Sequence, residues 1–148
     1  MGYRPIQEIV TGSAEISDGA IVNADVNASA AIAWGKLNLS GRYVEITDTS
    51  ESAAVNTFYL TNNAGQVTIT MPATAAVGDE VAVIGKGSGG WKIAQNAGQT
   101  IHFGDQNTTA GTGGSLESTD RYDAIKVVCM TVNSDFVTKN AIGNLTVT

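Results

Sequence analysis

After Gly41 the chain breaks into short runs of β-branched and aromatic residues separated by Gly, Asn, Asp and Ser, and this punctuation constrains the fold more than any other feature. A run too short for a stable helix but rich in residues that suit a pleated, half-buried surface is a strand. Residues 43–47, 58–61 and 67–71 read this way, and in the last of them Val67, Ile69 and Met71 alternate with threonines, which puts them on one face before Pro72 ends the run. Further strands are expected at 80–84, 91–94 and 100–103, the last two joined by the turn residues of 95–99 and therefore read as consecutive antiparallel partners. Residues 124–132 are apolar at both odd and even positions, the pattern of a central strand covered on two sides, and 136–138 and 144–147 close the set. So many short strands in one small domain favour a sandwich or jelly roll over a repeat solenoid.

Residues 1–40 have a different texture. Their apolar residues are spaced too thinly to fold alone. The helical candidate is 25–37, where Val26, Ala30, Ala33 and Leu37 recur at alternating spacings of four and three, the step of a short bundle seam. A helix of this length is marginal in isolation, and two alanines in the seam bury little area, so the segment is expected to be helical only when copies pack together or against the β domain. The competing reading is an alanine-rich linker. The expected organisation is therefore an N-terminal anchoring and trimerisation arm over 1–40 followed by a self-sufficient β domain over 41–148.

Charge and cysteine content narrow the partners. The 148-residue chain carries 14 acidic and 8 basic residues, a formal charge of -6, which creates no field to gather nucleic acid or an anionic membrane. Cys129 has no intrachain disulfide partner, and one cysteine with the single histidine, His102, cannot build a tetrahedral zinc site. The opening residues 1–10 lack the apolar stretch of a secretion signal, and no run reaches membrane-spanning length, so folding in a reducing cell is expected. No cofactor and no metal ion are expected.

The string 85–90 satisfies G-x-G-x-x-G, follows a strand and has Asp105 about twenty residues on. A dinucleotide site needs a helix N-terminus to hold the pyrophosphate, and here another strand, 91–94, follows; the glycines read better as a connection between two strands. A Cys129–His102 nucleophile pair would need a stabilised thiolate, yet Cys129 sits inside the most apolar strand, where desolvation favours an inert thiol. Asp105, Glu117, Asp120 and Asp123 could supply the two carboxylates of a glycosidase, but they lie among turn-forming Gly, Thr and Ser. No catalytic residue is therefore assigned. The polar stretch 104–115 reads as a long loop, a feature that in a compact domain is either functional or docked on a neighbour; it lacks the ligand spacing of an EF-hand.

Two stretches resemble tailed-phage virion proteins of the fibre and decoration type. The first runs over 21–37, and its Ala28-Ser29-Ala30-Ala31-Ile32-Ala33-Trp34-Gly35-Lys36-Leu37 looks like the ASAAIAxxKL signature of fibre shafts, with Gly35 in place of the usual serine. The second runs from 90–104 through 114–116 to 141–147 and is similar to a β domain that recurs in phage structural proteins. The resemblance implies a homotrimer without enzymatic activity that serves virion assembly or host attachment, located on the capsid surface or the tail. The expected partners are further copies of the chain and other virion proteins, the major capsid protein first.

Together these readings predict an all-β, antiparallel β-sandwich or jelly-roll-like domain with an extended N-terminal arm and one short helix, assembled as a homotrimer. A compact domain at the end of a short chain suits a capsid decoration (cement) protein or short head fibre. The alternative is a tail-fibre or receptor-binding tip that recognises host surface glycan, with Trp91, His102, Asp105 and Asn107 as the candidate contacts.

Overall fold

A computed structural model describes residues 43–148, and within them the protein is all-β with no helix. The arm over 1–40, the short helix and the seam of Val26, Ala30, Ala33 and Leu37 lie outside the described residues. Twelve strands follow in order: β1 Tyr43–Ile46, β2 Ser50–Ser52, β3 Thr57–Thr61, β4 Val67–Thr70, β5 Glu80–Gly85, β6 Trp91–Ala94, β7 Thr100–Phe103, β8 Gln106–Asn107, β9 Ser115–Ser118, β10 Ala124–Thr131, β11 Asp135–Ile142 and β12 Leu145–Val147. They form a seven-stranded sheet in the order β1-β3-β5-β10-β11-β7-β8 and a five-stranded sheet in the order β12-β9-β6-β4-β2.

Both sheets are mixed, which corrects the expectation of an antiparallel domain. From β1 to β6 the chain crosses to the other sheet after every strand, so β1, β3 and β5 stack parallel in one sheet while β2, β4 and β6 stack parallel in the other. The strands β6 and β7, expected to pair, lie in different sheets: β6 pairs with β4 and β9, whereas β7 pairs with β11 and β8. The physical reason is that the 95–99 connection is an arch between layers. The amides of Gln95 and Gln99 turn inward and satisfy the backbone there, Gln95 Nε2 donating to Gln99 O at 2.5 Å and Gln99 Nε2 to Pro72 O at 2.9 Å. Period-two alternation fixes which face of a strand is buried and is silent about which strand lies beside it.

The turns that carry the chain across stack on one another. Asn62 N–H donates to Ile46 O at 2.7 Å, Gly87 N–H to Thr61 O at 2.8 Å and Gly89 N–H to Asn63 O at 3.0 Å. The antiparallel pair β10–β11 then inserts between β5 and β7. As expected, β10 is central. It is covered on one side only, however: Ile125, Val127 and Cys129 are buried, while Met130 is 56% exposed.

The core lies between the sheets. Val67, Ile69, Trp91, Ile93 and Leu116 from the five-stranded sheet meet Val83, Ile101, Val127 and Phe136 from the other. Each side chain of this size contributes on the order of 1.5–3 kcal/mol on burial. A single two-layer core is thus formed with the opposite face of each sheet turned outward.

Candidate functional site

The outer face of the seven-stranded sheet is built by register. Paired positions align Tyr43, Phe58, Ala82, Lys126 and Asn140 in one row, and Glu45, Leu60, Ile84, Ala124 and Ile142 in the next. A third row runs Glu80, Val128, Val137, His102 and Asn107. The first two rows shape a groove of about 280 Å³ lined chiefly by Tyr43, Phe58, Ile84, Ala141 and Ile142. Tyr43 and Phe58 stack with ring centroids 5.0 Å apart, and Lys126 Nζ sits 5.3 Å from the Phe58 centroid. Tyr43 is 61% and Ile142 68% exposed, although both are large and carry much apolar surface.

Charges on this face are matched locally. Glu80 takes Lys126 at 2.5 Å on one oxygen and Lys139 at 3.2 Å on the other. The Lys126 hydrogen bond does most to hold the Glu80 carboxyl below the usual carboxylate range. Glu45 is held low in the same way, by its 2.7 Å bond from Lys86 and a second from Asn62. The result is an apolar centre with internally neutralised charges at its margins, the anatomy of an interface.

The structure brings some sequence-expected residues together and separates others. His102 and Asn107 meet at the β8 edge of this same face, His102 Nδ1 lying 2.6 Å from Asn107 Oδ1 and Nε2 3.5 Å from Asp135 Oδ1. Hydrogen bonds from Thr131 and Ser134, then His102, lower the Asp135 pKa. Asp105 is exposed in the turn between β7 and β8. Trp91 must be corrected as a contact residue: it is fully buried, and its indole N–H donates to Asp123 O at 2.8 Å. It presents no surface to a sugar.

Cys129 faces the core from β10, whereas His102 faces outward from β7, so the two are not assembled as a pair. Among the carboxylates, Glu117 is paired with Lys92 at 2.9 Å on the other sheet, and Asp123 is buried. The 104–115 stretch contains β8 and is fastened to its own domain, with Thr109 N–H on Thr148 O at 2.8 Å and Gly111 N–H on Gln99 O at 2.7 Å. The 85–90 string is the expected strand connection, with no helix after it.

Sequence reasoning placed Asp120 and Asp123 among turn formers but missed that Asp123 itself closes the 118–122 turn. Asp123 Oδ2 accepts from the N–H groups of Thr119 and Asp120, each at 2.9 Å, and thereby closes a tight loop. Tyr122 leaves that loop with φ of 73°, a left-handed conformation that is rare for a bulky residue. The signal was present in Thr119-Asp120 followed by Asp123, a local carboxylate cap of the kind turns use.

Among the described residues no group of three or more His, Cys, Asp or Glu side chains converges to hold a metal ion. Comparison with protein-family models and with curated proteins finds no match to the chain.

Proposed function

We propose that the chain is a non-enzymatic structural protein of a tailed-phage virion, a homotrimeric capsid decoration (cement) protein or short head fibre that docks through its N-terminal arm. The observation that carries this reading is the apolar outer face of the seven-stranded sheet, where Tyr43, Ile84 and Ile142 are exposed together along one groove. Its likeness over 21–37 and 90–147 to fibre and decoration proteins gives the reading its particular class.

The occupant of the face is a second copy of this chain. Copies that each carry -6 repel one another, so they meet most favourably where the local charge is cancelled or reversed. The outer face fits: Glu45 and Glu80 there are answered by Lys86, Lys126 and Lys139. A head-to-tail contact through this patch against a different surface of the next copy forms a ring where the rotation closes, and a ring of three matches the homotrimer that the resemblance implies. Decoration then needs no chemistry, because stabilisation of a shell follows from binding the assembled state alone.

Light scattering on the full chain tests the assembly, with three times the 15.2 kDa chain mass expected. A monomer at micromolar concentration overturns it. Copy number on purified particles separates the subclasses: hundreds of copies mark decoration, and a handful marks a tail tip. The receptor-tip reading is kept as the alternative because the 118–122 turn holds Arg121 and Tyr122 outward.

A further inference from the structure

The turns at 88–90 and 118–121 enclose a second cleft of about 220 Å³, lined by Ser88, Gly89, Gly90, Ser118, Thr119, Asp120 and Arg121. Its size falls below the roughly 300 Å³ at which drug-sized pockets begin, and its wall is polar. Several wall groups are already committed. The Ser118 hydroxyl accepts Trp91 N–H at 2.8 Å and donates to Trp91 O at 3.2 Å, and the Thr119 hydroxyl donates to Asn144 O at 2.7 Å. Among the described residues nothing bonds the Ser88 hydroxyl, the Asp120 carboxylate or the two Arg121 Nη groups.

Of these groups the Arg121 guanidinium is held in place. Arg121 Nε donates to Lys86 O at 2.8 Å, and the guanidinium carbon lies 4.6 Å from the Tyr122 ring centroid, so the planar fork is fixed at one end and supported on one face. Tyr122 is itself locked, its N–H donating to Gly85 O while Gly85 N–H donates to Asp123 O, each at 3.0 Å. The chain tolerates a positive φ at Tyr122 to keep that support. Gly90 completes the wall: a Cβ there would collide with the Ser118 hydroxyl.

We propose that this cleft binds a neutral pyranose, one terminal sugar ring of a surface polysaccharide. Vicinal hydroxyls of a sugar need an acceptor and a planar pair of donors, and Asp120 and Arg121, adjacent in the chain and both on the cleft wall, carry them, with the Ser88 hydroxyl able to act as either. The two charges cancel, so the cleft selects a neutral polyhydroxylated ring over a free anion, which Asp120 and the overall charge of -6 both repel. Arg121, Asp120 and Ser88 are the contact residues; Tyr122 and Asp123 are positioning residues. The site is independent of the trimer reading, since none of its residues lies on the outer-face groove.

Saturation-transfer NMR of the full chain against methyl glucoside, galactoside and mannoside tests it, with glucuronate and inorganic phosphate as further arms. At least one neutral glycoside is expected to bind with a dissociation constant of about 1 mM, ordinary for a single small ring with few contacts. Asp120→Asn and Arg121→Ala should each weaken it tenfold or more with unchanged melting temperature, and Ser88→Ala less. Tyr122→Gly removes the backbone strain, so it should leave the melting temperature unchanged or raised and still weaken the sugar several-fold; undiminished binding in that variant overturns the positioning role. Silence from all three glycosides, or binding of glucuronate or phosphate alone, overturns the site whatever the oligomeric state proves to be.

Discussion

Replacing Gly87 by alanine tests the stacked, parallel winding of the first six strands. Gly87 is buried in the connection between β5 and β6, and its φ is not positive, so alanine carries no conformational penalty of the left-handed kind. The obstacle is steric. A Cβ at this position would collide with the backbone N and O of Asn63 in the turn beneath, where no side chain can swing aside. Relief requires the two turns to part, which strains Gly87 N–H on Thr61 O and Gly89 N–H on Asn63 O. Overpacking of a tight contact costs about 1–3 kcal/mol, and each weakened backbone bond adds about 1 kcal/mol. Against this, alanine restricts the unfolded chain and returns about 0.4–1 kcal/mol. The net expectation is a loss of about 2–4 kcal/mol.

Gly98→Ala is the internal control. Gly98 has φ of 77° and nothing within 4 Å of its would-be Cβ, so alanine there meets only the left-handed penalty of about 1–2 kcal/mol, partly offset by the same unfolded-state gain. Urea unfolding of both variants reads the difference, since a slope of about 1–3 kcal/mol per molar converts 2–4 kcal/mol into a midpoint shift on the order of 1 M or more. If β5 and β6 were a hairpin with its loop in solvent, Gly87→Ala would cost no more than Gly98→Ala. Equal midpoints for the two variants refute the stacked turns.

Three further outcomes are expected. Tyr43→Ser with Ile142→Asp should shift the full chain from trimer towards monomer in light scattering and leave its far-ultraviolet circular dichroism unchanged, because both side chains are largely exposed on the outer face. The Glu117 carboxyl is held low chiefly by its Lys92 hydrogen bond; a depressed carboxylate contributes stability above its unfolded value of about 4.3 and loses it as pH falls through the folded one. Lys92→Met should therefore flatten the fall in urea midpoint between pH 5 and pH 3, and an unchanged slope would show the pair to be inert. Removal of residues 1–40 should leave a β domain that unfolds cooperatively and no longer attaches to particles, with continued attachment contradicting the anchoring role.

Alternation made the inner faces legible where it was clean. Val67, Ile69 and Met71, read as one face from spacing alone, are all buried. The same rule would have placed Trp91 inside, two residues before the core residue Ile93 on the same strand; reading it as a surface aromatic set the attraction of a tryptophan for ligands above its register. Short polar strands were illegible for the opposite reason. Ser50–Ser52 is wholly exposed, and Gln106–Asn107 pairs only at the sheet edge, so neither has an apolar face to announce it. Partner choice was hidden altogether. An arch and a hairpin can share turn residues and flanking alternation, and what separates them here is the inward turn of Gln95 and Gln99, a tertiary fact. The outer face could not be read for the same cause, since Tyr43 and Ile142 become parts of one groove only through the pairings of the intervening strands.

The glycine string 85–90 connects these observations. Its spacing suggested a phosphate-binding loop, yet its glycines are needed because Gly87 and Gly89 lie directly on the backbone of the turn below. From that pressed position the same segment reaches both surfaces: Lys86 Nζ holds Glu45 beside the outer-face groove, while Lys86 O holds Arg121 and Gly85 holds Tyr122 at the polar cleft. A connection hanging free in solvent could fix neither, because ordering it would cost about 1–2 kcal/mol of backbone entropy per residue at the moment of binding. Stacking meets that cost during folding. The parallel winding is therefore what lets a small domain with few charged residues carry two preorganised surfaces, one apolar and one polar, from a single short connection.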